Sequence, residues 1–211
     1  MSHFNAHAEQ WDDNEKIHMM KILAERTIEA LQSRNKLSQK HHIIDFGCGT
    51  GLFGLELMDI AKTLTGVDTS EGMLAVFNQK TSGNPDIRSV LIDLENETTD
   101  ITGDLIVSSM AFHHLADPRK MLGTLVRMLN PGGAVVLVDL DSEDGSFHPD
   151  NAGMGVKHFG FTKSTVSDWA QTHNLRLQYS VIHEVKKNNR AYPIFLAVFE
   201  RNDQQKKRNS K

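Results

Sequence analysis

The feature that most constrains the fold is an alternation of short apolar segments with amphipathic ones along the first 140 residues. The short segments are rich in β-branched residues, which predicts strands, whereas the segments between them repeat apolar residues every three or four positions, which predicts helices. Alternating strands and helices form a parallel sheet with helices on both faces. We expect strands at 42–46, 63–67, 87–94, 104–109 and 134–140, with helices at 14–31, 51–62, 71–80 and 118–129.

The last third of the chain departs from this alternation. Four glycines and few apolar residues predict a long loop at 142–160, and loops of that length are usually functional or mobile. A helix at 162–173 then precedes two strand segments, 176–186 and 191–200, which the turn signal KNN at 187–189 joins into a hairpin. The hairpin adds one antiparallel strand to an otherwise parallel sheet.

Composition excludes several classes of protein. The chain has 211 residues, one cysteine and a formal charge of -4, which argues against an internal disulfide, a multi-thiolate zinc site and a protein that lives mainly on nucleic-acid phosphates. Its longest apolar runs, such as AVVLV at 134–138, are far shorter than the ~20 residues of a membrane span. We therefore expect a soluble, cytoplasmic protein without a nucleic-acid or membrane partner.

Three loops that follow predicted strands carry the residues of a nucleoside site. The glycines of DFGCGTG at 45–51 fit a turn in which the backbone approaches a ligand, although glycines there can also mark only a tight turn. Asp68 can accept hydrogen bonds from both ribose hydroxyls, or it caps the next helix. Asp93 can accept from an adenine amino group, or it is a solvated loop acid. Together the loops predict a nucleoside pocket at the carboxyl ends of the strands.

These motifs resemble those of class I S-adenosylmethionine-dependent methyltransferases. The resemblance covers 5–140 and rests on five ordered segments: DFGCGTG, GVDTSEGML, LIDLEN, DLIVSSMAFHHL and LNPGGAVVLVD. It implies a doubly wound, mostly parallel α/β sheet of seven strands in the order 3-2-1-4-5-7-6, with one antiparallel strand and helices on both faces. It also implies S-adenosylmethionine as cofactor and transfer of its methyl group to a small molecule.

The resemblance assigns roles to residues of the loops. Asp45 would reach the methionine amino group, Asp68 the ribose hydroxyls and Asp93 the adenine amino group, while Ser109 or Met110 would bound the methionine end. The complete predicted cofactor set is Asp45, Gly47, Cys48, Gly49, Gly51, Asp68, Thr69, Met73, Asp93, Leu94, Ser109 and Met110.

The predicted organisation is a single domain at 1–201 followed by a disordered basic tail at 202–211. Within the domain, 1–40 is expected to be an N-terminal helical lid segment, because FNAHAEQWDD resembles the segment that many small-molecule members fold over the cofactor. The loop at 142–161 is expected to lie over the active site.

Histidines mark the predicted acceptor side. His113 and His114 follow the fourth strand, where one imidazole can act as a general base, or one packs under the next helix and the other bounds the pocket. Trp11, His148 and His158 are candidates for substrate or lid contacts; the alternatives are ordinary packing for Trp11 and solvated loop positions for the histidines.

The sequence predicts no metal site. Four carboxylates crowd the end of the fifth strand and hard cations use such ligands, but they form no complete ligand set; they are Asp139, Asp141, Glu143 and Asp144.

Two other functions remain open beside direct in-line methyl transfer to a small molecule. The first is binding of S-adenosylmethionine without methyl transfer. The second is an NAD(P)-dependent oxidoreductase, because GTGLFG at 49–54 matches a dinucleotide fingerprint and Asp68 follows 19 residues after Gly49. The acceptor atom, whether oxygen, nitrogen, carbon or sulfur, and the oligomeric state stay open.

Overall fold

Seven strands form one mixed sheet in the computed structural model, which describes residues 3–33, 41–187 and 189–202. The strands are β1 (His42–Phe46), β2 (Thr63–Asp68), β3 (Ile87–Leu91), β4 (Gly103–Ser109), β5 (Leu129–Leu140), β6 (Leu175–Lys187) and β7 (Arg190–Arg201). Their order is β3-β2-β1-β4-β5-β7-β6, and β7 runs antiparallel to both neighbours while the remaining pairs are parallel. The predicted fold class is confirmed.

The described residues form five α-helices: α1 (His3–His7), α2 (Asn14–Gln32), α3 (Glu71–Lys80), α4 (Pro118–Arg127) and α5 (Lys163–Thr172). One apolar layer contains buried residues of α2 and α3, such as Leu23 and Phe77, and the other contains residues of α4 and α5, such as Leu122 and Trp169. The helices therefore pack on both faces. No helix within the described ranges is long and apolar enough to cross a membrane.

Side-chain caps fix where the helices begin. Ser70, Asp117 and Thr162 each accept a hydrogen bond from the backbone N–H three residues later, as the sequence predicts for these positions. Helix α2 is capped by Asp13, which accepts from the N–H of Lys16 at 2.8 Å. The sequence pattern before this helix favours Asn14 or Asp12 as its cap, and this prediction is wrong because Asp13, between them, takes that position.

Two predicted elements differ from the structure. The α-helix expected at 51–62 is a short 3₁₀ segment, Gly54–Ile60, because Gly51 has a φ of +89° and so cannot begin a right-handed helix. Strand β5 begins at Leu129 rather than at 134, and residues 130–133 bulge opposite the start of β4 instead of separating helix from strand.

Several predicted segments fall partly outside the described residues. Of the predicted tail at 202–211, only Asn202 is described, where its side-chain amide donates to the carbonyl of Asn174 at 3.1 Å. Residues 1–2 and 34–40 of the predicted lid segment, and position 188 of the hairpin turn, also lie outside the described ranges.

The cap of α4 gives a test of the fold. Asp117 Oδ1 accepts from the N–H of Lys120 at 2.9 Å, next to a proline at the first helical position. We expect Asp117→Ala to lower the free energy of unfolding by about 1 kcal/mol, measured by urea denaturation. Asp117→Asn is the matched control, since asparagine caps equally well, and a comparable loss in both variants would contradict the role of the cap.

Candidate active site

A cavity of about 980 Å³ opens where β1, β2 and β4 end. Its wall combines the loops after these strands with residues of α2, of the 142–161 loop and of β6. Every residue of the predicted cofactor set lines this cavity except Gly51. The cavity thus lies at the strand ends where open parallel sheets bind ligands.

The glycine loop brings two strand ends together. Gly47 has a φ of +70°, and a Cβ at this position would lie 2.6 Å from Cβ of Ala111 in the loop after β4. Gly51 allows close packing instead, because a Cβ there would lie 2.8 Å from the ring of Phe77 on α3. Gly51 therefore packs behind the loop and does not line the cavity, so its predicted contact with the cofactor stays a prediction.

Asp45, at the end of β1, is a buried carboxylate with an unsatisfied oxygen. It is 1% exposed, and its Oδ2 has no partner with full hydrogen-bond geometry, although the nearby backbone N–H of Gly54 favours the charged form. The missing side chain of Gly54 makes room for it, since a Cβ there would lie 2.3 Å from that Oδ2. Burial, followed by the negative charge of Asp68, raises the pKa of Asp45 to about 7. Such a carboxylate is ready to accept a cationic donor from a ligand.

Asp68 is held by the two loops that it joins. Its Oδ2 accepts from the N–H of Gly49 and its Oδ1 from the N–H of Ser70, both at 2.8 Å. The capping alternative for Asp68 is excluded because the hydroxyl of Ser70 accepts from Met73 at the start of α3. Burial raises the pKa of Asp68. Each of its oxygens retains a lone pair for a further donor.

The third loop presents Asp93 and Leu94 to the cavity. The carboxylate of Asp93 also organises its own loop, because Oδ1 accepts from the N–H of Glu95 at 2.9 Å and Oδ2 from the amide of Asn96 at 2.7 Å. Leu94 is buried and provides an apolar wall.

The one cysteine of the chain is a packing residue. Cys48 is buried, and a Cβ at Gly66 would lie 2.8 Å from its sulfur. Burial raises the pKa of the Cys48 thiol, which disfavours the thiolate. A nucleophilic role for Cys48 is therefore not supported.

The N-terminal segment is docked onto these loops. The side-chain oxygen of Asn5 accepts from the hydroxyl of Ser70 at 2.6 Å and from the N–H of Gly72 at 2.9 Å. Asp12 forms an ion pair with Lys80, which also donates to the carbonyl of Thr50. The segment thereby covers the cavity beside the first two loops.

Aromatic residues of the same segment form the outer wall. Phe4 and Trp11 both line the cavity, and their rings contact each other edge to face at 5.6 Å. The ring of Phe4 also meets that of His114 at 5.2 Å. The predicted lid residue Trp11 thus stands at the cavity wall, and the ammonium of Lys16 lies 4.7 Å from the centre of its ring.

Three histidines converge at the far end of the cavity. His113 is 1% exposed, and its Nδ1 lies 2.7 Å from Oδ1 of Asp139 while its Nε2 has no hydrogen-bond partner. The ring of His114 lies 4.2 Å and that of His148 lies 5.0 Å from the ring of His113. The loop at 142–161 carries His148 and so completes the cluster.

Two of the three histidines, His114 and His148, are uncharged at neutral pH because their pKa values are lowered. Burial lowers the pKa of His114 to about 3, with the neighbouring His113 as the next cause. Burial and the same neighbour lower the pKa of His148 to about 4. An imidazole with such a pKa is a weak proton acceptor at neutral pH, so the geometry does not favour His114 as a general base.

His158 lies outside the cavity wall. Its Nε2 bonds to the carbonyl of Leu115 at 3.0 Å, and its backbone N–H, like that of Lys157, donates to the carbonyl of His113. His158 therefore anchors the loop to the segment after β4, whereas His148 lines the cavity.

The four carboxylates near the end of β5 do not converge on a metal position. Asp139 binds His113, and Asp144 binds Arg190. Glu143 Oε2 accepts from the backbone N–H groups of Ser146 and Phe147 within its own loop. Among the described residues, the group whose donor atoms could surround one ion consists of histidines: His113, His114 and His148.

Sequence reasoning missed the contribution of two elements to the wall. Residues 183–187 of β6 line the cavity, and so does Met20 of α2, whose sulfur lies 3.6 Å from the hydroxyl of Ser109. No local pattern marks these residues, because β6 reaches the site only through its pairing with β7.

Comparisons with known proteins agree with this architecture. Residues 44–137 match the family described as a methyltransferase domain. An uncharacterized methyltransferase of Schizosaccharomyces pombe is 34% identical over 140 residues, which are 59% of this chain and 49% of that protein. Trans-aconitate 2-methyltransferase of Delftia acidovorans is 29% identical over 137 residues, 61% of this chain and 50% of that protein. The chain thus spans about half the length of the curated relatives that it matches.

A solved complex of a protein named DhpI with SAH has a TM-score of 0.70, at 17% identity over 92% of each chain, and supports the fold. Residues 44–137 are therefore similar to a methyltransferase domain, and the chain has the seven-stranded class I Rossmann-like fold that its motifs predict.

The raised pKa of Asp45 predicts an unusual dependence of stability on pH. A carboxyl whose pKa is about 7 in the folded chain, against an ordinary 3.8, binds more protons when folded, so the free energy of unfolding falls as pH rises from about 4 to 7. We expect Asp45→Asn to remove this decline and to be more stable than the parent at pH 8 by on the order of 2–4 kcal/mol. Urea unfolding at several pH values, without ligand, measures both, and parallel pH profiles would contradict the burial of a charged Asp45.

Proposed function

We propose that this protein is an S-adenosylmethionine-dependent methyltransferase that transfers the methyl group directly to a small-molecule acceptor. The observation that carries the proposal is one continuous cavity, which runs from Asp68 and Asp93 past Asp45 to the imidazoles of His113 and His114. Its volume of about 980 Å³ is at the upper end for small-ligand sites, which suits a cofactor and an acceptor bound together.

The residues present fit the cofactor at its two polar ends. The unsatisfied Oδ2 of Asp45 would accept a hydrogen bond from the ammonium of the methionine part, either directly or through a water molecule. The carboxylate of Asp68 would accept from the two ribose hydroxyls while the N–H groups of Gly49 and Ser70 hold it in place. Thr69 and Met73 would line the adenosine.

When bound, the cofactor supplies a methyl group already activated on a sulfonium. The protein therefore contributes mainly position and exclusion of water. The docked N-terminal segment, with Phe4 and Trp11, and the loop that carries His148 would shield the reacting atoms from solvent. His113 and His114 would bound the acceptor, which approaches the methyl group in line with the bond that breaks.

The oxidoreductase alternative rests on the glycine fingerprint at 49–54, and the positions of these glycines do not support it. Of the glycines in the fingerprint at 49–54, Gly51 packs against Phe77 and Gly54 against Asp45, and neither lines the cavity. These glycines are explained by packing inside the protein and require no pyrophosphate.

A small molecule is the acceptor that the site favours. Aromatic and apolar side chains such as Phe4, Trp11 and Met20 line the cavity together with acidic and basic ones. The chain carries a formal charge of -4, whereas nucleic-acid acceptors need a basic surface. The trans-aconitate relative adds support of the same kind.

Cofactor affinity gives the first test. We expect Asp68→Ala to weaken binding of S-adenosylhomocysteine by 10- to 100-fold in titration calorimetry, because two hydrogen bonds to a charged acceptor are lost. Asp86→Ala removes an exposed carboxylate outside the cavity wall and is the matched control. Binding of NADH in place of S-adenosylhomocysteine would contradict the proposal.

Activity is tested by incubating the protein with metabolite pools and S-adenosylmethionine labelled in its methyl group. We expect label in a small-molecule fraction, with one S-adenosylhomocysteine formed per methyl transferred. Tight cofactor binding without transfer to any pool would favour the binding-only alternative.

A further inference from the structure

The three histidines at the acceptor end differ from ordinary cavity histidines in their unsatisfied nitrogens. His113 Nε2, His114 Nδ1 and His148 Nδ1 are all shielded from solvent without a hydrogen-bond partner. One ring nitrogen from each residue lies within 4.8 Å of the other two. Three buried ring nitrogens without a partner in one cluster need an explanation, since buried polar groups are normally paired.

We propose that His113, His114 and His148 bind one divalent transition-metal ion, with zinc as the representative ion, at the acceptor end of the cavity. Imidazole nitrogens are ligands that zinc, cobalt, nickel and copper share, and three histidines leave one position open in a tetrahedral site. Ligand nitrogens at 2.0–2.1 Å from zinc stand about 3.3 Å apart, so a modest closure of the triangle accommodates the ion.

His113 has the hydrogen-bonding environment of a metal ligand, because a carboxylate binds the ring nitrogen that would not contact the ion. Its Nδ1 lies 2.7 Å from Oδ1 of Asp139, which leaves Nε2 to face the cluster. Asp139 is fully buried and also accepts from the N–H groups of Phe112 and Leu140, so the carboxylate cannot rotate away. A carboxylate behind a ligating histidine fixes the ring and increases its basicity, and Asp139 also offsets one charge of the ion.

The third proposed ligand, His148, lies on the 142–161 loop, which hydrogen bonds hold at both ends. Lys187 donates to the carbonyl of Phe147 at 2.8 Å, and the ring of Phe147 is buried against Tyr192, so the residue before His148 is fixed. The N–H groups of Lys157 and His158 hold the other end of the loop to the carbonyl of His113. The loop therefore presents His148 to the pair that follows β4.

The site suggests the chemical class of the acceptor, an inference that rests on the proposed function. The three histidines line the same cavity as Asp45, so an acceptor bound to the ion would share that cavity with the methyl donor. An acceptor hydroxyl bound there would lose its proton to solvent more readily, because the ion stabilises the oxyanion. A lone pair of that oxygen then forms the new O–C bond while the S–C bond breaks and its electron pair stays on sulfur, giving S-adenosylhomocysteine and a methyl ether or ester.

Cobalt binding tests the site without activity. Untagged protein, freed of metal by chelator, is titrated with Co²⁺, whose visible absorption reports a tetrahedral nitrogen environment. We expect one ion per chain with such a spectrum, competition by Zn²⁺, and loss of affinity of on the order of 100-fold or more in His148→Ala. Asp139→Asn should lower affinity by about 10- to 100-fold with all three ligands still present.

Two histidine variants are matched controls. His183→Ala removes a cavity histidine outside the cluster, and His7→Ala removes an exposed one whose ring stacks on His3 at 4.2 Å and could collect metal at the surface. Both should retain the Co²⁺ spectrum and affinity. His148→Gln serves if His148→Ala does not fold, with circular dichroism to check each variant.

No stoichiometric binding, or binding that survives His148→Ala but not His7→Ala, would overturn the proposed site. Full methyl transfer by metal-free protein would overturn its role with the acceptor and leave His113 as a direct base. Calorimetry with S-adenosylhomocysteine on the same metal-free samples separates the two proposals. Intact cofactor binding without a metal site defeats only this inference, whereas metal binding without cofactor binding defeats the proposed function.

Discussion

The site depends on the burial of a carboxylate, Asp45, at the end of the central strand β1. A buried carboxyl with an unpartnered oxygen is costly, and burial together with Asp68 raises its pKa to about 7. The fold accepts this cost because Gly54 leaves space for the carboxyl. Strain of this kind at the end of a strand is typical of a position that a ligand relieves.

A second buried carboxylate, Asp139 near the end of β5, differs from Asp45 in its hydrogen bonds. Its oxygens accept from His113 and from the backbone N–H groups of Phe112 and Leu140, so it is well satisfied. The unsatisfied atoms are instead the nitrogens of the histidines in front of it. The two ends of the cavity thus differ, with a buried carboxylate oxygen at Asp45 and a cluster of imidazole nitrogens at His113, His114 and His148.

Much of the fold could be predicted from local pattern. The apolar strands, the caps Ser70, Asp117 and Thr162 and the glycine loop each have a signal within a few residues, and the sheet order followed from a resemblance carried by five motifs. The α-helix expected at 51–62 was wrong because a periodic pattern cannot show that Gly51 adopts a left-handed conformation.

The predicted cofactor loops were recognisable because Asp45, Asp68 and Asp93 each lie at the end of a strand or within two residues of it, and all three line the cavity. The histidine cluster at the other end of the cavity was harder to predict from the sequence. His113 and His148 are 35 positions apart, and their meeting depends on how the 142–161 loop is pinned, which no spacing shows. The carboxylates weighed as metal ligands were conspicuous in sequence, whereas the histidines converge only in three dimensions.

Proton release on cofactor binding tests the central claim, that Asp45 receives the cationic end of the cofactor. Because the pKa of Asp45 is raised to about 7, part of the Asp45 carboxyls carry a proton in the free protein at neutral pH, and an ammonium ligand would ionise them. Calorimetric titration with S-adenosylhomocysteine in buffers of different ionisation enthalpy should show proton release on binding that grows as the pH is lowered from 8 to 6 and is absent in Asp45→Asn. A binding enthalpy independent of the buffer, or equal release by the variant, would contradict the account.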